Sequence, residues 1–382
     1  MKYLLSRDSG LVYHLVCHLI IMTFGLNTVN YYVIPLPTFR PISPDPVFSL
    51  QGSDLMKETS LEAISNVYIG HAHDLEGATG CSVVICPEGA VTGVDVRGGA
   101  PGTRETDLLD PLNLVDRVHA VLLAGGSAFG LEAASGVMRY LEERGIGFDT
   151  GVARIPLVPS AVLFDLSVGD PSARPDAAMG YKACVTSGYP LEEGNVGAGM
   201  GASIGKIRGM EFCMKGGLGC ACLEEARLRV GAMVAVNSLG DVYDQSRGEI
   251  IAGALGDDRK SFINTEDYMI SSFARCGNLS GRNTTIGVVI TNALMTKSQA
   301  CKVASMAHSG IARAVRPSHT MFDGDTLFTM ATGNVETDVN VVGIMAVMAV
   351  EKAILRAVRK ASSLCGILSW QDLHISEGIS SV

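Results

Sequence analysis

The run Gly281-Arg282-Asn283-Thr284-Thr285-Ile286-Gly287-Val288-Val289-Ile290 passes from a Gly- and Asn-bearing loop into an uninterrupted apolar stretch. Thr285–Ile290 carries β-branched residues and no charge or Pro, so it reads as a buried strand with the Thr284 hydroxyl at its mouth. Working outward, Cys81–Ile85 and Ala90–Val96 are short β-rich runs on either side of Pro87-Glu88-Gly89, a pattern that predicts a hairpin. Val118–Leu123 predicts another buried strand, followed by Gly125-Gly126-Ser127 and a helix over about 128–144 that ends at Gly145. Ala161–Leu166 and Ala232–Val236 fit further strands. Thr296 and Gln299 have the spacing of a capping box, which starts a helix reaching about Ala314. Ala300, Val303, Ala304, Ala307 and Ile311 repeat at helical spacing as its core face. A second long helix is expected over roughly 337–360. Strands and helices so mixed imply a layered α/β or α+β domain.

Composition narrows the function classes. The chain has 382 residues, 30 Lys+Arg against 39 Asp+Glu, and a net charge of −9. Nucleic-acid binding needs a basic stripe to neutralise phosphates, and none is present. A hydrophobic share of 47% rules out a disordered chain, and 44 Gly beside one Trp points to a tight core of small residues. The ten Cys are scattered without a CxxC pair, which reads as reduced core thiols in a cytoplasmic protein. The first residues differ from the rest. Leu11–Leu26 is apolar and follows Lys2 and Arg7, as in a signal segment or short anchor, yet it contains His14 and His18 and is too short to span a bilayer. Pro35–Pro46 then forms a Pro-rich linker, and Met56 offers a clean start. Residues 1–55 are therefore expected to be an appendage to a single domain over 56–382, without stable membrane association.

Several short motifs admit two readings. The strand, Gly loop and helix start around Gly125 and Gly126 have a phosphate-cradling layout, but the loop is neither GxGxxG nor a Walker loop, and close helix–strand packing explains its glycines. Gly194–Gly201 holds four Gly in eight residues, which brings backbone amides close to a substrate or to another segment. His71 and His73 would share a strand face, but no third ligand follows at a recognisable interval, and no metal is expected. His308 and His319 have no nucleophile motif beside them. In Phe322-Asp323-Gly324-Asp325-Thr326, two carboxylates one residue apart can hold a hydroxyl or an ammonium and raise one another's pKa. An Asp-Gly turn explains the same residues, and β-branched residues opening a strand explain Thr284 and Thr285 equally well.

Seven blocks in order separate these readings: VYIGHAHD (67–74), VDVRGGAPGTRETDLLDP (94–111), LLAGGSAFGLEAA (122–134), EGNVGAGMGASIGK (193–206), VAVNSLGD (234–241), RNTTIGVV (282–289) and FDGDTLFTMATGN (322–334). Together they resemble the self-cleaving aminopeptidase family that contains L-aminopeptidase/D-esterase, the β-aminopeptidases and the nylon-oligomer (6-aminohexanoate oligomer) hydrolases. The resemblance covers roughly residues 60–360. It implies a four-layer αββα sandwich of N-terminal-nucleophile-hydrolase type, related to the ornithine acetyltransferases. It also implies processing into an α chain ending at Asn283 and a β chain over 284–382, with αβ units assembling into homo-oligomers. By position, Thr284 matches the nucleophile and Asn283–Thr284 the processed bond. Asp323 and Asp325 match an acidic pair that holds the Thr284 amine and hydroxyl. Lys206 matches a site lysine, Asn237 an oxyanion donor, and Gly197 and Gly199 the substrate and oxyanion loop. The implied substrates are small peptides, amino-acid amides or ω-amino oligomers, with no metal and no organic cofactor. The chain departs from the family pattern at Met200, Cys220 and Cys222, which bears on substrate preference. Thr285 is the alternative nucleophile if the register differs by one. Acyl transfer of the ornithine acetyltransferase kind, or a non-catalytic binding protein, are the competing functions.

Overall fold

Residues 56–188, 190–272 and 283–375 are described in the computed structural model of the chain, so the expectation for residues 1–55 lies outside them. Ten strands join in one sheet. The first six are β1 (Lys57–Thr59), β2 (Tyr68–Asp74), β3 (Thr79–Val96), β4 (Thr103–Arg104), β5 (Arg117–Ala124) and β6 (Ser160–Val162). The others are β7 (Gly217–Glu225), β8 (Leu228–Asn237), β9 (Thr284–Ala293) and β10 (Thr326–Val335). Four helices cover the sheet: α1 (Ala133–Glu142), α2 (Ala177–Val185), α3 (Lys297–Ala314) and α4 (Val339–Lys360). The strand order is β1-β7-β8-β9-β10-β3-β5-β6-β4, with β2 added on β3.

The expected hairpin at Pro87-Glu88-Gly89 does not form. Instead β3 runs unbroken for 18 residues and carries a register shift between Ile85 and Ala90. Its partner β5 pairs with both halves, Ala120–Ala124 against Cys81–Ile85 and Arg117–Val118 against Ala90–Val91. The other edge of β3 is divided, with β2 along Thr79–Ile85 and β10 along Val91–Val96. The residues read as a turn are thus a bulge, where Pro87 needs no ladder donor and Gly89 takes φ +77°. This bulge lets one strand belong to two half-sheets.

Side-chain alternation then builds four layers. Along β9, Ile286, Val288 and Ile290 enter one core while Val289 enters another, the two-residue period of a strand buried on both faces. Ile286 and Val288 meet Met233, Phe328, Val84 and Leu123 between the half-sheets. On one outer face, α3 and α4 cover β7–β10 through residues such as Val303, Ile311, Val350 and Ile354. On the other, α1 and α2 cover β2, β3 and β5 through Val137, Leu141 and Cys184. A Cβ at Gly93 would strike the backbone of Cys301 in α3, and one at Gly219 would strike Ala353 in α4, so the glycines set the helix-to-sheet distance. The capping box at Thr296 and Gln299 starts α3 as the sequence predicts.

Two other expectations shift. The helix foreseen from 128 begins as a 3-10 turn over Ser127–Glu132, and α1 proper starts at Ala133. The strand foreseen to Leu166 leaves the sheet after Val162, because Asp165 is drawn aside to accept from the Thr79 hydroxyl (2.7 Å) and the Gly126 N–H (2.7 Å). The Gly125-Gly126 loop therefore holds the protein's own carboxylate, which a Cβ at Gly125 would strike. Among the described residues the cysteines are free, and six of them (81, 86, 184, 213, 220 and 222) are buried. No helix of the described residues is long and apolar enough to cross a membrane.

Candidate active site

Strand register gathers the site. β8 and β9 run antiparallel with Asn237 opposite Thr284. β9 and β10 run parallel with Ile286 opposite Thr326, so the segments leading into both strands arrive at the same edge. Asn283 there bridges to Asp323, outside either strand. Sheet topology thus brings Asn237, Asn283, Thr284, Asp323 and Asp325 together from segments distant in sequence. All five are buried.

Thr284 donates its hydroxyl hydrogen bond to the carbonyl oxygen of Asn283, the residue before it. That same oxygen accepts the Gly324 N–H at 2.9 Å. Gly324 is glycine for a steric reason, since a Cβ would come to 2.9 Å from Thr284 Oγ and 2.7 Å from the Ala100 carbonyl.

Lys206 is buried beside Asn237, the residue paired with Thr284 across β8 and β9. Its Nζ donates to Asn237 Oδ1 (2.8 Å), the Asn237 carbonyl (2.9 Å) and the Ser203 carbonyl (3.0 Å). An ammonium only donates, so it fixes which end of the Asn237 amide faces it. Asn237 Oδ1 also accepts the Ser203 N–H (3.0 Å), and Nδ2 donates to the Phe164 carbonyl (2.9 Å). Burial pushes the Lys206 ammonium down to about 7, against the pull of Cys213, Asp323 and Asp165. A second buried lysine, Lys215, donates to the carbonyls of Gly199 (3.0 Å), Ala202 (3.0 Å) and Gly216 (3.1 Å) and so ties down the loop that presents Ser203.

The two carboxylates are held differently. Asp325 Oδ1 accepts the Thr285 N–H (2.7 Å), while its Oδ2 accepts the His319 N–H (3.0 Å) and lies 2.8 Å from His319 Nδ1. Asp323 Oδ2 accepts the N–H (2.8 Å) and hydroxyl (2.5 Å) of Thr320. Burial, and then the charge of Asp325, push the Asp323 carboxyl up to about 6, with the Thr320 bonds and Lys206 acting the other way. Asp325 thus braces the amide following Thr284, and Asp323 is set against Asn283 through the backbone.

Gly197 and Gly199 lie farther along the same loop. A Cβ at Gly197 would meet Ser82 of β3, and one at Gly199 would meet Leu218 of β7, so close packing on the sheet explains both. Met200 is fully buried, and Cys220 and Cys222 face the core between the half-sheets. The Thr285 hydroxyl is buried and has no hydrogen-bond partner among the described residues, and its N–H is taken by Asp325. His71 Nδ1 meets the Ser82 hydroxyl (2.9 Å), and among the described residues no three His, Cys, Asp or Glu side chains converge as a metal site. Sequence reasoning missed Gly324, Ser203 and His319. The spacing of Gly324 between two Asp was a usable signal for the first, whereas nothing local marks the other two.

Comparison with solved structures defines the class. An L-aminopeptidase/D-Ala-esterase/amidase from Ochrobactrum anthropi, described as a variant of the Ntn hydrolase fold, superposes with a TM-score of 0.60 at 17% identity. That match covers 84% of this chain and 94% of the other. A Burkholderia sp. β-aminopeptidase gives 0.59 at 18% identity, covering 84% and 95%. The architecture is accordingly the Ntn-hydrolase fold of these aminopeptidases. In sequence, the profile of peptidase family S58 matches residues 60–369. An uncharacterized aminopeptidase of Mycobacterium leprae is 44% identical over 346 residues (81% of this chain, 93% of that one). A 6-aminohexanoate-oligomer endohydrolase of an Agromyces strain is 34% identical over 306 residues (76% and 82%). The chain belongs to peptidase family S58, and it is a hydrolase.

Proposed function

We propose that this hydrolase makes its own nucleophile by cutting the Asn283–Thr284 bond and then uses Thr284 to hydrolyse small amides. One observation carries the reading: the Thr284 hydroxyl rests on the carbonyl it would attack, and that carbonyl oxygen already accepts the Gly324 N–H. Such a donor stabilises the oxyanion as charge develops, an effect typically worth about 100- to 1000-fold in rate.

In processing, Thr284 Oγ forms a bond to the Asn283 carbonyl carbon as the C–N bond to Thr284 breaks. The hydroxyl proton ends on the departing nitrogen, leaving an ester. Water then cleaves the ester, which frees the Asn283 carboxylate and the Thr284 α-amine. A free α-amine has a reference pKa near 8, so near neutrality part of it is unprotonated and can take the proton of its own hydroxyl. One residue then supplies nucleophile and base, and the cycle calls on neither metal nor organic cofactor. Attack on an amide substrate gives an acyl-enzyme at Thr284, released by water. Asn237, held by Lys206, and the Gly324 N–H face the developing negative charge, while Asp325 and Asp323 fix the amide and the approach around Thr284. The names of the relatives support small peptides, amino-acid amides and ω-amino oligomers as substrates, and the resemblance supports homo-oligomers of αβ units.

Intact mass of the wild type beside Thr284→Ala tests this. From 40.2 kDa, processing predicts fragments of roughly 30 and 10 kDa in the wild type and one whole chain in the variant. A folded wild-type chain that stays whole would overturn the mechanism.

A further inference from the structure

His319 lies outside the residues used so far, yet it touches one carboxylate of the acidic pair twice. Its backbone N–H and its ring Nδ1 both meet Asp325 Oδ2, at 3.0 and 2.8 Å. An ionised carboxylate only accepts, so Nδ1 carries the hydrogen. His319 adopts φ +59°, in the left-handed region that costs a non-glycine residue energy unless its surroundings hold it there. That conformation aims backbone N–H and ring at the same oxygen. With Oδ1 taken by the Thr285 N–H, both oxygens of Asp325 are held, and the carboxylate becomes a rigid strut between the loop and the residue after the nucleophile.

Behind His319 the ring of His308 in α3 packs edge-on, with centroids 4.9 Å apart. His308 is itself fixed by an Nε2 contact with the Asp95 carbonyl (2.9 Å). Among the described residues His319 meets Asp325 of its own loop and His308 of α3; Asp325 in turn faces Asp323, and His308 faces Asp95 and its ion-pair partner Arg97 at the end of β3. His319 is the only one of these that donates a side-chain hydrogen bond to Asp325 among the described residues.

We propose that His319 is a positioning residue of the acidic pair: its double contact with Oδ2 braces Asp325 on the Thr285 amide and makes it the fixed member of the pair beside the nucleophile. The proposal rests on the reading of Thr284 as nucleophile. It gives the pair an asymmetry that two neighbouring aspartates do not have by themselves. It also explains why a histidine occupies a left-handed position where Gly or Asn is the more usual residue.

Two variants test it. His319→Gly accepts φ +59° without strain and removes only the ring, while His319→Asn tolerates the same backbone and offers a side-chain N–H near the place of Nδ1. Turnover of L-alanine 4-nitroanilide and of a linear 6-aminohexanoate trimer is followed against pH, with processing of the chain followed by mass in the same samples. Losing a charge-assisted bond should move the acid limb of the activity profile upward by about one pH unit in the glycine variant. The asparagine variant should return the limb to its wild-type place. A glycine variant of lower activity with an unmoved limb would mean that His319 only shapes the loop, and would overturn the proposal. If the glycine variant does not accumulate, the asparagine variant decides alone, and a displaced limb there contradicts the proposal. Failure of the Thr284 reading looks different: Thr284→Ala would then still turn over substrate, whatever the His319 variants do.

Discussion

Replacing Lys206 with Met, in a chain kept whole by Thr284→Ala, should change how stability depends on pH. Burial lowers the Lys206 ammonium to about 7 in the folded chain, from 10.5 when exposed. Between those values the unfolded chain binds more protons than the folded one, so stability rises with pH across this window and is lost as pH falls through it. The gap is worth at most about 5 kcal/mol. Lys215 is lowered to about 7 by the same burial, but it is present in both chains and cancels in the difference. Met roughly fills the same volume and leaves the Ser203 carbonyl without the Lys206 donor, a loss of about 1–3 kcal/mol that does not vary with pH. Urea unfolding of parent and variant at a series of pH values from about 7.5 to about 9.5 should therefore show the parent gaining on the variant by about 1.4 kcal/mol per pH unit. Parallel curves would refute the reasoning that a buried, lowered ammonium sits at position 206. In the Thr284 background the same change should slow processing about 100- to 1000-fold, because the Asn237 amide loses its anchor.

Two further substitutions probe the site and the core. Gly324→Ala would press a methyl on Thr284 Oγ and the Ala100 carbonyl, so processing measured by intact mass should fall at least about 100-fold with the far-ultraviolet spectrum unchanged. Wild-type processing would contradict the contact. Phe328→Ala opens a cavity between the half-sheets, where the ring is fully buried, and should lower unfolding free energy by about 3–5 kcal/mol. A loss under about 1 kcal/mol would mean that the inner layer is not packed as described.

Much of this was legible in the sequence where the signal is local. The capping box at Thr296 and Gln299 gave α3 its start, and the apolar run after Thr284 gave β9, because both depend on neighbours in the chain. The grouping of Lys206, Asn237, Thr284, Asp323 and Asp325 came from a family resemblance, since their meeting depends on which strands pair. β3 was misread because Pro87-Glu88-Gly89 punctuates a strand the way a turn does. Only the length of β5, able to pair with both halves, tells a bulge from a hairpin. Asp165 ended a strand early through contacts with Thr79 and Gly126, which no local pattern reports. His319 was set aside for a similar reason: its left-handed backbone and its contact with Asp325 arise from the folded loop, and no sequence pattern reports either.

The most direct measurement of the central claim is to acylate the purified protein with a slowly released amide or ester substrate, digest it, and locate the added mass. The account predicts a new chain beginning at Thr284, with the acyl group on that residue and none in Thr284→Ala. An adduct on Thr285 or on any other side chain, or acylation of a chain still intact across Asn283–Thr284, would contradict it.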